Sequence, residues 1–326
     1  MEKYEYSHLR NQLNERRVRL TKAIAAANQT QHLVALLQKV DSALERMDNG
    51  TYGICHICHE PIEKDWLAAD PLAEFCLAHL NETEQRMLEQ DLSLAAKIQS
   101  TLLPQNNFSS LGYMISYHYQ PAGLVSGDYC DIVINENNES ILFLIGDITG
   151  KGVAASMLMT HIHAFVHSMI GLNLPVHELI ERVNRLFCES SLYSHFITMI
   201  CGRGYNNGEL EICNAGHCLP VLIKKDSIDC LDSNGMPVGL FQSGKYYSNN
   251  IQLAKDESIL LYTDGLSEAN YFDDEYGTER ITKLASKNSD KSPKELISTL
   301  LADVSYFTKS PQLRDDLTLL AIKRTI

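Results

Sequence analysis

Five short segments carry the residue types that do chemistry in this chain. They are Ser126-Gly127-Asp128-Tyr129-Cys130-Asp131, Gly146-Asp147-Ile148-Thr149-Gly150-Lys151-Gly152, Asn214-Ala215-Gly216-His217, Tyr262-Thr263-Asp264-Gly265 and Arg314-Asp315-Asp316-Leu317-Thr318. Asp147 and Asp264 directly follow apolar runs, and Asp315 and Asp316 directly precede one. Each is a strand-end position, where a side chain projects from a rigid edge. Asp128 follows Ser126-Gly127 and can lie on a neighbouring strand. Carboxylates gathered on adjacent strand ends repel one another unless hard divalent cations share them. Two Mg2+ or Mn2+ ions would relieve the repulsion and keep water among their ligands, where its lowered pKa suits attack on phosphorus. The pattern therefore points to metal-assisted hydrolysis.

A second donor set lies earlier. Cys55-x2-Cys58 is followed after seventeen residues by Cys76-x2-His79. Two such knuckles supply four sulfur and nitrogen ligands for one tetrahedral Zn2+, with no open position for catalysis, so the site reads as structural. His56 and His59 are alternative ligands, less favoured by the paired spacing. Trp66, the lone tryptophan, lies between the knuckles and is expected to pack the finger.

These groups need elements to hold them. Residues 1–50 read as two helices, with Leu9, Leu13, Val18 and Ile24 on the first and Leu33 to Met47 on the second, separated by the polar tip Asn28–Gln31. Asn49-Gly50 ends the second helix. Residues 51–80 form the Cys/His unit. Residues 81–104 read as a linker helix ended by Pro104, with Leu88, Leu92, Ala95, Gln99 and Leu102 at coiled-coil spacing that would suit a homodimer. From 105 to 326 the texture becomes short β-rich runs at 141–145, 196–201, 220–223, 258–262 and 317–322, with helices expected at about 153–170, 176–191 and 277–308. The fold class is α+β.

Two resemblances follow. Residues 37–79, with Tyr52-Gly53-Ile54-Cys55, Pro61-Ile62 and Cys76, resemble the DksA/TraR zinc finger, a family with a helical hairpin whose members bind RNA polymerase. The fourth ligand there is usually Cys, and His79 takes its place. The tip lacks the acidic pair that such proteins insert toward the polymerase, so the scaffold carries over better than the polymerase function. That leaves a polymerase-binding regulator, with the domain at 105–326 auxiliary to it, as the alternative reading.

Residues 88–326, including Ala95-Ala96-Lys97-Ile98-Gln99 and Leu103-Pro104, resemble the metal-dependent PPM-type phosphatases, and within them the RsbU/SpoIIE class. The resemblance implies a β-sandwich flanked by helices in αββα layers, and hydrolysis of phosphoserine or phosphothreonine on an anti-sigma-factor antagonist of the STAS type. It implies that Asp147 bridges two metals, that Ile148 lends a carbonyl, and that Asp128 and Asp264 are ligands. Asp315 is the favoured last ligand, with Asp316 as the alternative. Asp131 and His217 are candidates for the surrounding shell. Cys218 stands where the class usually has Pro, and Thr149 where a small residue is common. Neither departure removes a ligand.

The bulk composition sets outer bounds. The chain has 326 residues, 44% hydrophobic and 21% charged, which suits about two globular domains. A net charge of −13 argues against direct binding of a phosphate backbone. Met1–Tyr6 is polar with no apolar segment behind it, and no run reaches about 18 consecutive apolar residues, so a cytoplasmic protein without membrane spans is expected. Six further cysteines (130, 188, 201, 213, 218 and 230) are expected to be reduced. His161, His163 and His167 read as helix packing or a solvated face, and Arg16, Arg17 and Arg19 as a solvated helix face.

Overall fold

The structure is a computed structural model that describes residues 3–26, 31–80, 82–136, 139–190, 195–225, 227–272, 274–309 and 314–326. The chain divides into two compact units, Met1–Asp91 and Leu92–Ile326. In the first, α1 (Lys3–Ala26) packs along α2 (Gln31–Asp48), and α3 (Lys64–Ala69) follows within the Cys/His segment. Most of the expected hairpin tip, residues 28–30, lies outside the described residues. Leu9, Leu13 and Leu20 meet Val40, Ala43, Leu44 and Met47 in one core, which continues through Tyr52, Ile62 and Leu67. Val18, expected in this seam, faces solvent and Leu20 takes its place. Arg46 reaches across from α2 and donates to the carbonyl of Ala73 at 3.1 Å, and the Tyr52 hydroxyl donates to Pro71 O at 2.9 Å.

Helix α4 (Glu82–Leu102) runs across the boundary between the units. The second unit then contains β1 (Phe108–Ser110), β2 (Tyr113–Gln120), β3 (Asp128–Asn135), β4 (Ser140–Ile148), α5 (Val153–Met169), α6 (Val176–Ser190), β5 (Ile197–Tyr205), β6 (Glu209–Ala215), β7 (Val221–Ile223), β8 (Ile228–Cys230), β9 (Asn249–Gln252), β10 (Ser258–Tyr262), α7 (Asp264–Ser267), β11 (Asn270–Tyr271), β12 (Asp274–Glu275), α8 (Gly277–Lys287), α9 (Pro293–Thr308) and β13 (Leu317–Arg324). Two large antiparallel sheets result, one ordered β1-β2-β13-β10-β7-β8 and the other β3-β4-β5-β6-β9, and β11 pairs with β12 in a small third one.

Strand parity explains the layers. On β4, Ile141, Phe143 and Ile145 enter the core between the sheets, whereas Leu142 and Leu144 enter the core beneath α5 and α6. On β13, Leu320 and Ile322 face the inter-sheet core, whereas Leu319 and Ala321 meet α8 and α9 through Ile281, Leu296 and Leu300. Both sheets are thus buried on both faces, which is why runs such as Ile141–Ile145 on β4 and Leu319–Ile322 on β13 are continuously apolar. The order is helices, sheet, sheet, helices, the arrangement implied by the phosphatase resemblance.

Two details differ from the expected elements. The single helical stretch at 277–308 is two helices, because Ser292 caps α9 in a reciprocal box with Glu295 and Pro293 occupies the first turn. The stretch Val153–Leu172 is long and apolar enough, by length and composition, to cross a membrane. His161, His163 and His167 interrupt it, and Ala155, Met159, Ile162 and Val166 bury its inner face against the sheet.

Candidate active site

Five of the sequence-selected aspartates, Asp128, Asp147, Asp264, Asp315 and Asp316, lie near one end of the two sheets. Register places Asp128, the first residue of β3, directly opposite Asp147 near the end of β4, and Asp147 opposite Thr198 on β5. From the other sheet, β10 ends at Tyr262 and delivers Asp264 to the first turn of α7. Its partner β13 begins at Leu317, directly after Asp315 and Asp316. The turn leaving Asp147 requires glycine: Gly150 and Gly152 have φ of 97° and 74°. Gly127 is also confined, since a Cβ there would lie 3.1 Å from Ile148 O and 3.6 Å from Asp147 Oδ1.

The electrostatics record this crowding. Burial, followed by the Asp147 carboxylate, pushes Asp128 well above the usual carboxylate range. Burial and then Asp264, Asp315 and Asp316 raise Asp147 to about 7, with Lys151 opposing. Burial and Asp315 raise Asp264. Like charges that shift one another upward are near neighbours sharing a partly desolvated space. A hard divalent cation suits this all-oxygen set and would remove the repulsion.

Asp315 and Asp316 are adjacent, but their surroundings differ. Both Asp316 oxygens accept backbone N–H groups, Oδ1 from Ala122 at 2.8 Å and Oδ2 from Gly127 at 2.9 Å. Asp316 therefore staples the segment that leads into Asp128. Asp315 is 44% exposed and pairs with Lys151 Nζ at 2.8 Å, and Lys151 also donates to Arg314 O at 3.0 Å.

Three positioning groups escaped the sequence reading. The Thr263 hydroxyl donates to Asp128 Oδ2 at 3.0 Å, and the Thr318 hydroxyl donates to the same oxygen. Gln99 is buried on α4, where its Nε2 donates to Ser126 O and its Oε1 accepts from Ser126 N at 3.0 Å. Polar residues inside otherwise apolar runs were the available signal. His217 lies beside the site without joining it. It is buried, its Nδ1 is 2.9 Å from Thr198 Oγ1, and its N–H donates to Asn214 Oδ1 at 2.8 Å. Burial lowers its pKa to about 4, so the ring is neutral and orders the turn behind Asp147.

Asp131 does not join the cluster. It lies three residues after Asp128, and alternation along β3 turns it to the opposite face of the sheet. There it meets Tyr129, His163 and His167.

The Cys/His segment of the first unit forms its own donor set. The ligand atoms of Cys55, Cys58, Cys76 and His79 all lie within 4.8 Å of one another. Cys58 Sγ and Cys76 Sγ are 3.9 Å apart, and Cys55 Sγ is 3.8 Å from His79 Nδ1. Tetrahedral Zn2+ with bonds of about 2.0–2.3 Å places its ligands at close to these separations. His56 instead lies by Glu74 and Phe75, outside the set.

Known proteins share this architecture. The chain is 27% identical to phosphoserine phosphatase RsbU of Bacillus subtilis over 250 residues, covering 74% of this chain and 72% of RsbU. It is 28% identical to phosphoserine phosphatase RsbP of the same organism over 188 residues, covering 55% of this chain and 46% of RsbP. The SiaA-PP2C domain of Pseudomonas aeruginosa superposes with a TM-score of 0.65 at 17% identity, covering 74% of this chain and 98% of that domain, which shows the shared fold. The model of the family described as Stage II sporulation protein E (SpoIIE) matches residues 137–325, more than half of the chain. The protein therefore belongs to the SpoIIE family and is a serine/threonine phosphatase of the RsbU/SpoIIE class on the PP2C fold.

Proposed function

We propose that the protein hydrolyses phosphoserine or phosphothreonine on a regulatory protein, an anti-sigma-factor antagonist of the STAS type, using two Mn2+ or Mg2+ ions. The observation that carries this reading is the convergence of Asp128, Asp147, Asp264 and Asp315 from two sheets, with Asp147 raised to about 7 by burial and by its acidic neighbours. In this reading Asp147, Asp128, Asp264 and Asp315 would hold the ions, with Ile148 offering its carbonyl. When bound, such ions would supply Lewis acidity toward the phosphoryl oxygens and lower the pKa of a bound water. Thr263 and Thr318 fix the Asp128 carboxylate, Asp316 fixes the loop before it, and Lys151 holds Asp315. His217, neutral and engaged with Thr198, takes no proton in this scheme.

Cys55, Cys58, Cys76 and His79 hold one structural Zn2+ in the proposal, and the finger with its hairpin, DksA/TraR-like in sequence, serves as the input module. Of the expected seam on α4, Gln99 is buried against Ser126 and Leu102 packs on the core, so pairing of two copies along this helix would use Leu94 and Ile98, 58% and 53% exposed, instead. The direct test is Mn2+-dependent phosphate release from a phosphoserine antagonist protein by the wild type and by Asp264→Asn. The proposal expects a large loss in the variant. Equal rates would sink the two-metal assignment.

A further inference from the structure

We propose that Asp131, His163 and His167 form a separate transition-metal site, of the zinc class, that clamps α5 onto β3. His163 and His167 are one turn apart on the same face of α5, with rings stacked at 4.0 Å between centroids. Asp131 approaches them from β3, on the sheet face away from the carboxylate cluster. Its Oδ2 is 3.6 Å from His163 Nδ1 and 2.7 Å from His167 Nε2. All three donor atoms lie within 4.8 Å of one another. Ligands at about 2.0–2.1 Å from a tetrahedral ion are about 3.3–3.4 Å apart, within the range spanned here.

Two observations favour an ion over a plain Asp–His hydrogen bond. His163 Nδ1 is buried and has no hydrogen-bond partner among the described residues, although it points at the shared carboxylate. A buried ring nitrogen left without a partner is uncommon, and in the tautomer with Nδ1 unprotonated a cation would satisfy it. The carboxylate is also fixed by hydrogen bonds of its own, as the outer partners of a metal ligand fix it. Asp131 Oδ1 accepts from Ile132 N at 2.8 Å, and Oδ2 accepts from the fully buried Tyr129 hydroxyl at 2.9 Å. His167 is 41% exposed, which leaves a solvent path for ion entry and for a water as fourth ligand. Two imidazoles with one carboxylate select Zn2+ over Mg2+, whose preferred ligands are all oxygen.

The test is equilibrium dialysis of the full-length protein against buffered micromolar Zn2+, followed by elemental analysis. Wild type is compared with His163→Ala and His167→Gln. The Cys/His set is present in all three proteins, so a difference reads only this site. The wild type is expected to retain one more equivalent of zinc than either variant, and to gain more thermal stability on zinc addition. His167 is partly exposed, so His167→Gln keeps the fold intact for this comparison. Equal zinc content in all three proteins, or a difference that emerges only at millimolar zinc, would overturn the proposal and leave a hydrogen-bonded Asp–His pair.

Discussion

Replacing Gly265 by alanine should separate the two halves of the acidic cluster without removing any carboxylate. Gly265 is buried in the first turn of α7, directly after Asp264. A Cβ at this position would lie 1.9 Å from the carbonyl oxygen of Asp316, where ordinary contact begins at 3.4 Å, so one backbone must move by about 1.5 Å. The clashing atom is main chain, so no side-chain rotation relieves it. The displaced segment carries Asp315 on one side and Asp264 on the other. A misplacement of about 1 Å at a reacting centre can cost about 100-fold in rate, and overpacking of this kind costs about 1–3 kcal/mol in stability. Initial rates of phosphate release at saturating Mn2+, alongside a thermal melt, measure both effects. Gly171→Ala is the control, because nothing lies within 4 Å of a Cβ there. A Gly265→Ala protein that kept wild-type kcat would refute the packing argument and the grouping of Asp264 with Asp315.

Other substitutions probe the supporting shell. Gln99→Ala removes both hydrogen bonds to the Ser126 backbone, and should destabilise the second unit by about 1–3 kcal/mol, read as a lower Tm. Thr318→Val keeps the shape but removes one donor to Asp128, and should weaken Mn2+ binding by about 10-fold in a calorimetric titration. Asp147 predicts a pH dependence. Its carboxyl is raised from 3.8 to about 7, so the folded, metal-free protein holds a proton that the unfolded chain gives up earlier. The stability this adds is complete below about pH 4 and is lost as pH rises through 7, by at most about 4 kcal/mol. In chelator the Tm should fall across that window, and added Mn2+ should restore it more at pH 8 than at pH 5.5; a flat Tm in chelator would contradict the assignment. Cys58→Ser should lose one equivalent of zinc, whereas His79→Cys should keep it, as elemental analysis can show.

Much of this was legible in the residues because the strands are buried on both faces. Runs such as Ile141–Ile145 and Leu317–Ile322 stand out as largely apolar, and the aspartates that flank them mark where the sheets open. Strands β2, β6 and β9 were not picked out, since β2 carries half-buried Tyr117, His118 and Tyr119 and β9 is largely exposed. Asp131 was readable in principle, because an odd offset from Asp128 on one strand sends it to the other face. Its partners were not, because they come from a helix more than thirty residues on. Gln99 looked like a flaw in a helical seam, and only its pairing with Ser126 explains it. The contrast between Asp315 and Asp316 likewise depends on Ala122, Gly127 and Lys151, all far away in sequence.

The central claim is that Asp128, Asp147, Asp264 and Asp315 act together through divalent cations. A titration of Mn2+ into the chelator-treated protein, followed by phosphate release from a phosphoserine substrate, tests it most directly when wild type is set against Asp147→Asn. The account predicts Mn2+ binding coupled to activity in the wild type, with both lost in the variant although it still folds. Activity that survives in chelator, or an Asp147→Asn protein that binds Mn2+ and turns over like the wild type, would contradict it.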